Sequence, residues 1–245
     1  MSEDAGGAGR LDDARREDLR ASLAALRERI DAACAAAGRP AGAVSLVAVT
    51  KTFPVSDVVL LSELGVTDVG ENRDQEAAPK AAATAALGLP LTWHFVGQLQ
   101  VNKAASVASY ADVVHSVDRL RLVSALGRRA VAAGRELSCL IQVSLDTAAG
   151  RGGAPPGEVA GLADAIAAAP GLSLGGVMAV APLGEPARPA FAMLREVAEK
   201  VRSAHPGAVA ISAGMSGDLE DAIAEGATLV RIGTALLGGR RAFVR

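Results

Sequence analysis

Eight short runs of β-forming residues alternate with helix-type stretches along this chain, and that alternation restricts the fold more than any other feature. The runs fall at 45–50, 66–69, 92–96, 113–117, 138–145, 174–180, 209–212 and 228–232. Helix-type stretches occupy 56–64, 74–86, 102–109, 119–133, 156–169, 188–204 and 216–225 between them. Gly65, Gly134, Gly171 and Gly226 stand where helices have to stop, since glycine readily takes the left-handed conformation that closes a helix. The β runs are almost continuously apolar rather than alternating, as expected of strands buried on both faces of a parallel sheet. Eight β/α units in 245 residues predict an α/β chain folded as a single-domain (β/α)8 TIM barrel, a fold of about 250 residues. An open doubly wound sheet is the competitor, but it usually has fewer strands and a Gly-rich loop after the first. Here the first run ends in Thr50-Lys51.

Ahead of the barrel, Leu19, Leu23, Leu26, Ile30 and Ala37 recur at three- and four-residue steps, which predicts an N-terminal helix ended by Gly38 and Pro40. Residues 1–10 are Gly-rich and read as a flexible tail, leaving 11–245 as one domain with no linker or composition shift inside it.

Composition removes several functions. Half the residues are hydrophobic, 21% are charged and the formal net charge is −2, which excludes disorder as the main state and offers no basic excess for a nucleic-acid backbone. Aromatic residues make up 2%, too few for base-stacking platforms. Cys34 and Cys139 have no metal-type spacing, and a reduced, cytoplasmic protein is the expectation. The opening MSEDAGGAGR, with two acids and no apolar core, does not read as a signal peptide. The longest uncharged stretch, 165–184, is interrupted by Pro170, Pro182 and several glycines, whereas a membrane helix needs about 20 apolar residues without such breaks.

Three features carry chemistry. Only four residues are lysines, Lys51, Lys80, Lys103 and Lys200, and Lys51 ends the apolar run SLVAVTK. In a barrel the C-terminal strand ends form the active face. A lysine there is either a nucleophilic amine suited to forming an imine with an aldehyde or a strand-end side chain reaching for water. The second feature is a pair of small, donor-rich loops after the last two strands. One runs Ser212-Ala213-Gly214-Met215-Ser216-Gly217-Asp218, with Ser216 placed as an N-cap; the other continues from Arg231-Ile232 into Gly233-Thr234. Barrels often hold phosphate there, although two ordinary N-caps would read the same, and Asp218 would mildly repel an anion. The third is Arg231, a cation inside an apolar strand, which needs a partner: an acid such as Glu71, or a ligand atom in the mouth. Asn72, after Gly70-Glu71, ranks lower as a ligand contact. His94 and His115 read as core residues and His205 as surface, with no metal-type grouping among them.

The strings VAVTKTFP (47–54), GENRDQE (70–76), WHFVGQLQVNK (93–103), HSVDR (115–119), IQVSLD (141–146), GVMAV (176–180), SAGMSGDLEDAIAEGAT (212–228) and VRIGTALLG (230–238) together resemble the YggS/PROSC family of pyridoxal 5′-phosphate (PLP) homeostasis proteins, over roughly residues 20–240. The resemblance implies a barrel like the N-terminal domain of alanine racemase. It implies an internal aldimine between PLP and Lys51, phosphate held by Ser216, the Met215 amide, Gly233 and Thr234, Arg231 facing the pyridine nitrogen, and Asn72 lining the ring. The chain departs from the family's common pattern at Gln98, Val101, Ser144, Gly175 and the Arg151-Gly152-Gly153 loop, none of them at those positions.

PLP catalysis usually relies on a protonated pyridine nitrogen held by a carboxylate. Facing that nitrogen as the resemblance implies, Arg231 would only donate and would make the ring a poor electron sink. The one tyrosine, Tyr110, precedes the fourth strand, and at this length the second domain that completes a racemase is not expected. The resulting expectation is a monomeric carrier that buffers PLP and passes it to apo PLP-dependent enzymes, with no strong activity of its own. The alternatives are a racemase-like PLP enzyme, and a lysine-dependent aldolase-type barrel acting on a phosphosugar.

Overall fold

The structure, a computed structural model, describes residues 4–145 and 152–239. Residues 1–3 of the expected tail, Asp146 of the IQVSLD string and Arg151 lie outside the described residues. The eight runs form strands β1 (Ser45–Val49), β2 (Asp68–Glu71), β3 (Thr92–Phe95), β4 (Val113–Val117), β5 (Leu137–Gln142), β6 (Leu172–Met178), β7 (Ala210–Ser212) and β8 (Leu229–Ile232). They pair in parallel, in chain order, into a closed barrel. Closure runs through β1 and β8, where Val47 lies level with Arg231 and Ala48 with Ile232.

Helices α2 (Val55–Glu63), α3 (Asp74–Ala86), α4 (Ala104–Tyr110), α5 (Leu120–Ala132), α6 (Val159–Ala168), α7 (Ala187–Ala204), α8 (Leu219–Ala224) and α9 (Thr234–Leu237) cover the outside. β2 starts two residues later than its apolar run because Val66 belongs to the turn that closes α2. Gly65 takes φ 81 and the Val66 amide donates back to the Leu61 carbonyl at 2.9 Å, a helix-closing turn that glycine permits.

Helices α8 and α9 have six and four residues, too short to cover β8 and β1 alone. The N-terminal helix α1 (Asp4–Ala36) supplies the missing layer. Its stripe of Leu19, Leu23, Leu26, Ile30 and Cys34 packs with Leu60, Leu61, Leu219, Ile223 and Leu236 in one buried cluster. Residues 4–10, read from sequence as tail, are helical: no proline interrupts them, and extending a formed helix costs far less than starting one. Arg15 pins α1 to the barrel through Asp57 at 2.6 Å and the Leu237 carbonyl at 3.1 Å. Cys34 and Cys139 are buried and unpaired, and burial pushes the Cys139 thiol up to about 12. Among the described residues no helix is long and apolar enough to cross a membrane.

Candidate functional site

β1 delivers Lys51 to the C-terminal rim. A Cβ at Gly70 would come within 3.0 Å of Val47 and 3.5 Å of Val49, so these three residues share the barrel interior. By the two-residue strand period, Lys51 and Asn72 continue that interior face at the ends of β1 and β2. Lys51 is exposed and Asn72 partly so.

The backbone under both residues is braced from outside. Lys80 on α3 donates to the Thr50 carbonyl at 2.9 Å and to Oε1 of Glu71 at 2.6 Å, and the Thr50 hydroxyl reaches the same Oε1 at 2.7 Å. Thr50 and Glu71 are fully buried and Lys80 nearly so. Burial raises the Glu71 carboxyl above its ordinary range, with the Lys80 ammonium and the Thr50 hydroxyl partly offsetting it. Glu71 is therefore not the partner of Arg231 that the sequence allowed for. Immediately after Lys51, Thr52 takes φ 69, the only non-glycine residue among those described with positive φ. A β-branched residue there is strained; its amide donates to Glu76 at 2.8 Å, which helps hold the loop in place.

A close approach secures Asn72. A Cβ on Gly97 would lie 2.2 Å from the Asn72 carbonyl oxygen. Gly97→Ala is expected to push Asn72 off its position and cost about 1–3 kcal/mol, the usual price of overpacking. Thermal unfolding measures this, and an unchanged melting temperature overturns it.

Arg231 is buried at 6% exposure. Its Nη1 donates to Ser212 Oγ at 2.6 Å and its Nη2 to the Ala179 carbonyl at 2.9 Å. Both partners are neutral, and burial brings the guanidinium down to about 10, countered in part by Asp218. It remains a cation at neutral pH, held by uncharged acceptors inside the barrel.

The two anion-type loops lie side by side. Ser216 does not cap α8, which begins at Leu219; its hydroxyl instead accepts from the Ala235 amide of the second loop at 3.2 Å. The Met215 amide, expected as a phosphate donor, is bonded to the Asp218 carboxylate at 2.6 Å. Gly233 passes close to β1, where a Cβ would lie 3.2 Å from the Val49 carbonyl oxygen, and Gly214 has φ 91. Thr234 is exposed at the start of α9. Arg29 on α1 steadies the first loop through the Ser216 carbonyl at 2.9 Å.

The sequence reading missed Lys80 and Ser212. For Lys80 a signal existed: Ala77, Lys80, Ala81 and Thr84 fall on one helical face, and all four are buried. It also kept the histidines apart, whereas His94 and His115 are bonded to each other at 2.8 Å inside the barrel. Among the described residues no His/Cys/Asp/Glu group could hold a metal.

Comparison with known proteins identifies the family and the fold. The family model described as alanine racemase, N-terminal domain, matches residues 21–241. A pyridoxal phosphate homeostasis protein of Mycobacterium tuberculosis (strain ATCC 25618 / H37Rv) is 45% identical over 244 residues, covering 93% of this chain and 95% of the relative. PipY of Synechococcus elongatus PCC7942, solved with PLP bound, aligns with a TM-score of 0.79 at 33% identity, covering 90% of this chain and all of PipY. Alanine racemase from Streptomyces coelicolor A3(2) shares the fold at a TM-score of 0.73 and 22% identity, with this chain spanning 58% of it.

Proposed function

Because the chain belongs to the family of pyridoxal phosphate homeostasis proteins, we propose that it binds PLP reversibly at Lys51 in the barrel mouth and releases it to apo-enzymes inside the cell, as a monomer with little turnover of its own. The observation that carries this reading is an exposed amine at the end of β1 on the same interior face as the buried, cationic Arg231 of the neighbouring strand. The donor set fits the cofactor: a primary amine for an aldehyde, a guanidinium for a ring nitrogen, and two adjoining small-residue loops for a phosphate. When bound, PLP supplies an aldehyde that condenses reversibly with an amine and a ring that can draw electrons.

Each residue then has a defined task. Lys51 presents its amine while Lys80 and Glu71 fix the backbone beside it. Asn72 lines the ring, and Gly97 admits its backbone. Arg231 would donate to the pyridine nitrogen and so favour that atom without a proton. Ser216, Gly233, Thr234 and the Met215 amide would hold the phosphate; that amide would do so in place of its present bond to Asp218. The racemase-like alternative needs a second base at the mouth. Tyr110 does not provide it: it ends α4, packs edge-on against Trp93 at 6.5 Å between ring centres, and burial raises its phenol far above the ordinary range.

The test is to load the purified protein with PLP, reduce with borohydride and map the peptides by mass spectrometry. A phosphopyridoxyl group on Lys51 is expected; an adduct confined to Lys103 or Lys200, or none, overturns the reading. Asp218→Asn probes the phosphate end. The variant keeps an acceptor for the Met215 amide and removes a charge whose repulsion of a phosphate about 4 Å away amounts to about 1 kcal/mol. PLP affinity should rise about fivefold; weaker binding would show that Asp218 organises the loop rather than competing for it.

A further inference from the structure

A line of polar side chains crosses the apolar barrel interior, where a packed core of branched aliphatic residues is usual. It starts at Arg231 on β8 and passes to Ser212 on β7 at 2.6 Å. Ser212 Oγ lies 3.0 Å from Nδ1 of His115 on β4, Nε2 of His115 lies 2.8 Å from Nδ1 of His94 on β3, and Nε2 of His94 lies 2.9 Å from Oδ1 of Asp68, the first residue of β2. Ser212, His115 and His94 are buried. Asp68 is partly open, at the edge of a cavity of about 360 Å³ at the N-terminal end of the barrel.

With both imidazoles neutral and Asp68 ionised, donor and acceptor counting gives this line one direction. Arginine donates and cannot accept, so Ser212 Oγ accepts from Arg231. A hydroxyl oxygen can accept twice, so the far end decides the rest. The Asp68 carboxylate only accepts, so neutral His94 keeps its proton on Nε2, gives it to Asp68 and accepts at Nδ1 from His115. Neutral His115 therefore carries its proton on Nε2 and is left to accept the serine hydrogen at Nδ1. The second oxygen of Asp68 accepts from the Thr67 hydroxyl at 2.6 Å. Every bond is made with both imidazoles neutral.

An added proton on His115 Nδ1 would point at Ser212 Oγ, leave the serine hydrogen without its acceptor and weaken the seat of Arg231. The surroundings oppose such a proton: burial first, then the nearby His94 and Arg231, hold His115 well below the ordinary histidine range. At the far end burial alone would raise Asp68, but hydrogen bonds from His94 and Thr67 keep its carboxyl below the ordinary value. The line thus runs from a cation to an anion at the opposite end of the barrel.

We infer that Asp68, His94, His115 and Ser212 are positioning residues, a one-way hydrogen-bond relay that holds the Arg231 guanidinium in place from the end of the barrel remote from Lys51. What Arg231 touches rests on the PLP reading above; the relay itself does not.

The experiment therefore reads the relay first in PLP-free protein. Long-range proton–nitrogen NMR should show His94 and His115 as neutral Nε2–H tautomers at pH 7, and the Arg231 guanidinium protons should exchange slowly. Asp68→Ala removes the final acceptor at a partly exposed position and should speed that exchange about tenfold, the scale of a lost hydrogen bond to a charged group, while Asp68→Asn, which keeps an oxygen to accept from His94, should restore most of the protection. An Nδ1–H tautomer or an imidazolium at either ring, or exchange that Asp68→Ala leaves unchanged, overturns the relay. In loaded protein Asp68→Ala should also shift the visible absorption maximum and raise the PLP release rate about tenfold, again with rescue by Asn. If the unloaded measurements hold and the wild-type protein takes up no PLP, the PLP reading fails and the relay stands.

Discussion

Replacing Lys51 with alanine is expected to abolish the visible absorption of PLP-loaded protein and to weaken PLP retention by a hundredfold or more, about 3 kcal/mol on the affinity scale. The side chain is exposed and bonded to no other described residue, so its removal should leave the melting temperature close to wild type, as for most surface substitutions. Arg231 and the two loops would remain and supply the residual, non-covalent affinity. Lys51→Arg sharpens the test. Arginine keeps the positive charge and much of the length, but its guanidinium stays protonated and is no nucleophile at neutral pH. If the amine acts through chemistry, the arginine variant loses the visible band as fully as the alanine variant. If it acts only as a cation near the phosphate, the arginine variant retains PLP, and the reading of Lys51 as the covalent attachment point falls.

How much of this was legible in the chain differs by layer. The barrel could be read because each β/α unit announces itself locally, through an apolar run and a helix-type stretch, several of them closed by a glycine. Residues 74–86 form a helix with the very bounds their pattern predicts. The N-terminal stripe predicted a helix, but its task of covering β1 and β8 follows from α8 and α9 being short, which is a tertiary fact. The rim residues could be named because strand ends are fixed once strands are fixed. Their bonding was harder. Ser216 looks like an N-cap by type and position, and it turns to Ala235 instead because the two final loops meet in space. The polar relay was least legible. Asp68, His94, His115, Ser212 and Arg231 sit on five strands spread over more than 160 positions of sequence. Each taken alone reads as a strand-end or core polar residue, and only barrel closure brings them into line.

The brace behind Lys51 carries the largest expected effect on stability. Lys80→Met would leave the fully buried Glu71 without its cation and the Thr50 carbonyl without its donor. Breaking a buried pair by deleting one partner costs about 3–5 kcal/mol, or on the order of 10 °C in melting temperature for a chain of this size. The penalty should depend on pH, and its sign follows from Glu71. Its carboxyl is raised above the ordinary value of 4.5 even with Lys80 present, and losing the ammonium raises it further. A folded state with the higher carboxyl value holds the proton more tightly than the unfolded chain, so the stability it contributes is fully present below about pH 4.5 and is lost as pH climbs through the folded value. The deficit of Lys80→Met relative to wild type should therefore be largest at pH 7–8 and shrink on acidification toward pH 4.5. Glu71→Leu combined with Lys80→Met removes both charges and should recover most of the loss, since apolar replacement of a buried pair is often neutral or better. PLP retention separates the brace from plain stability: the double variant, though stable, still lacks the bond from Lys80 to the carbonyl beside Lys51 and should hold PLP less tightly than wild type. A deficit that stays constant from pH 8 to 4.5, or a double variant no more stable than Lys80→Met, would show that Glu71 is not the group left exposed to the loss of Lys80.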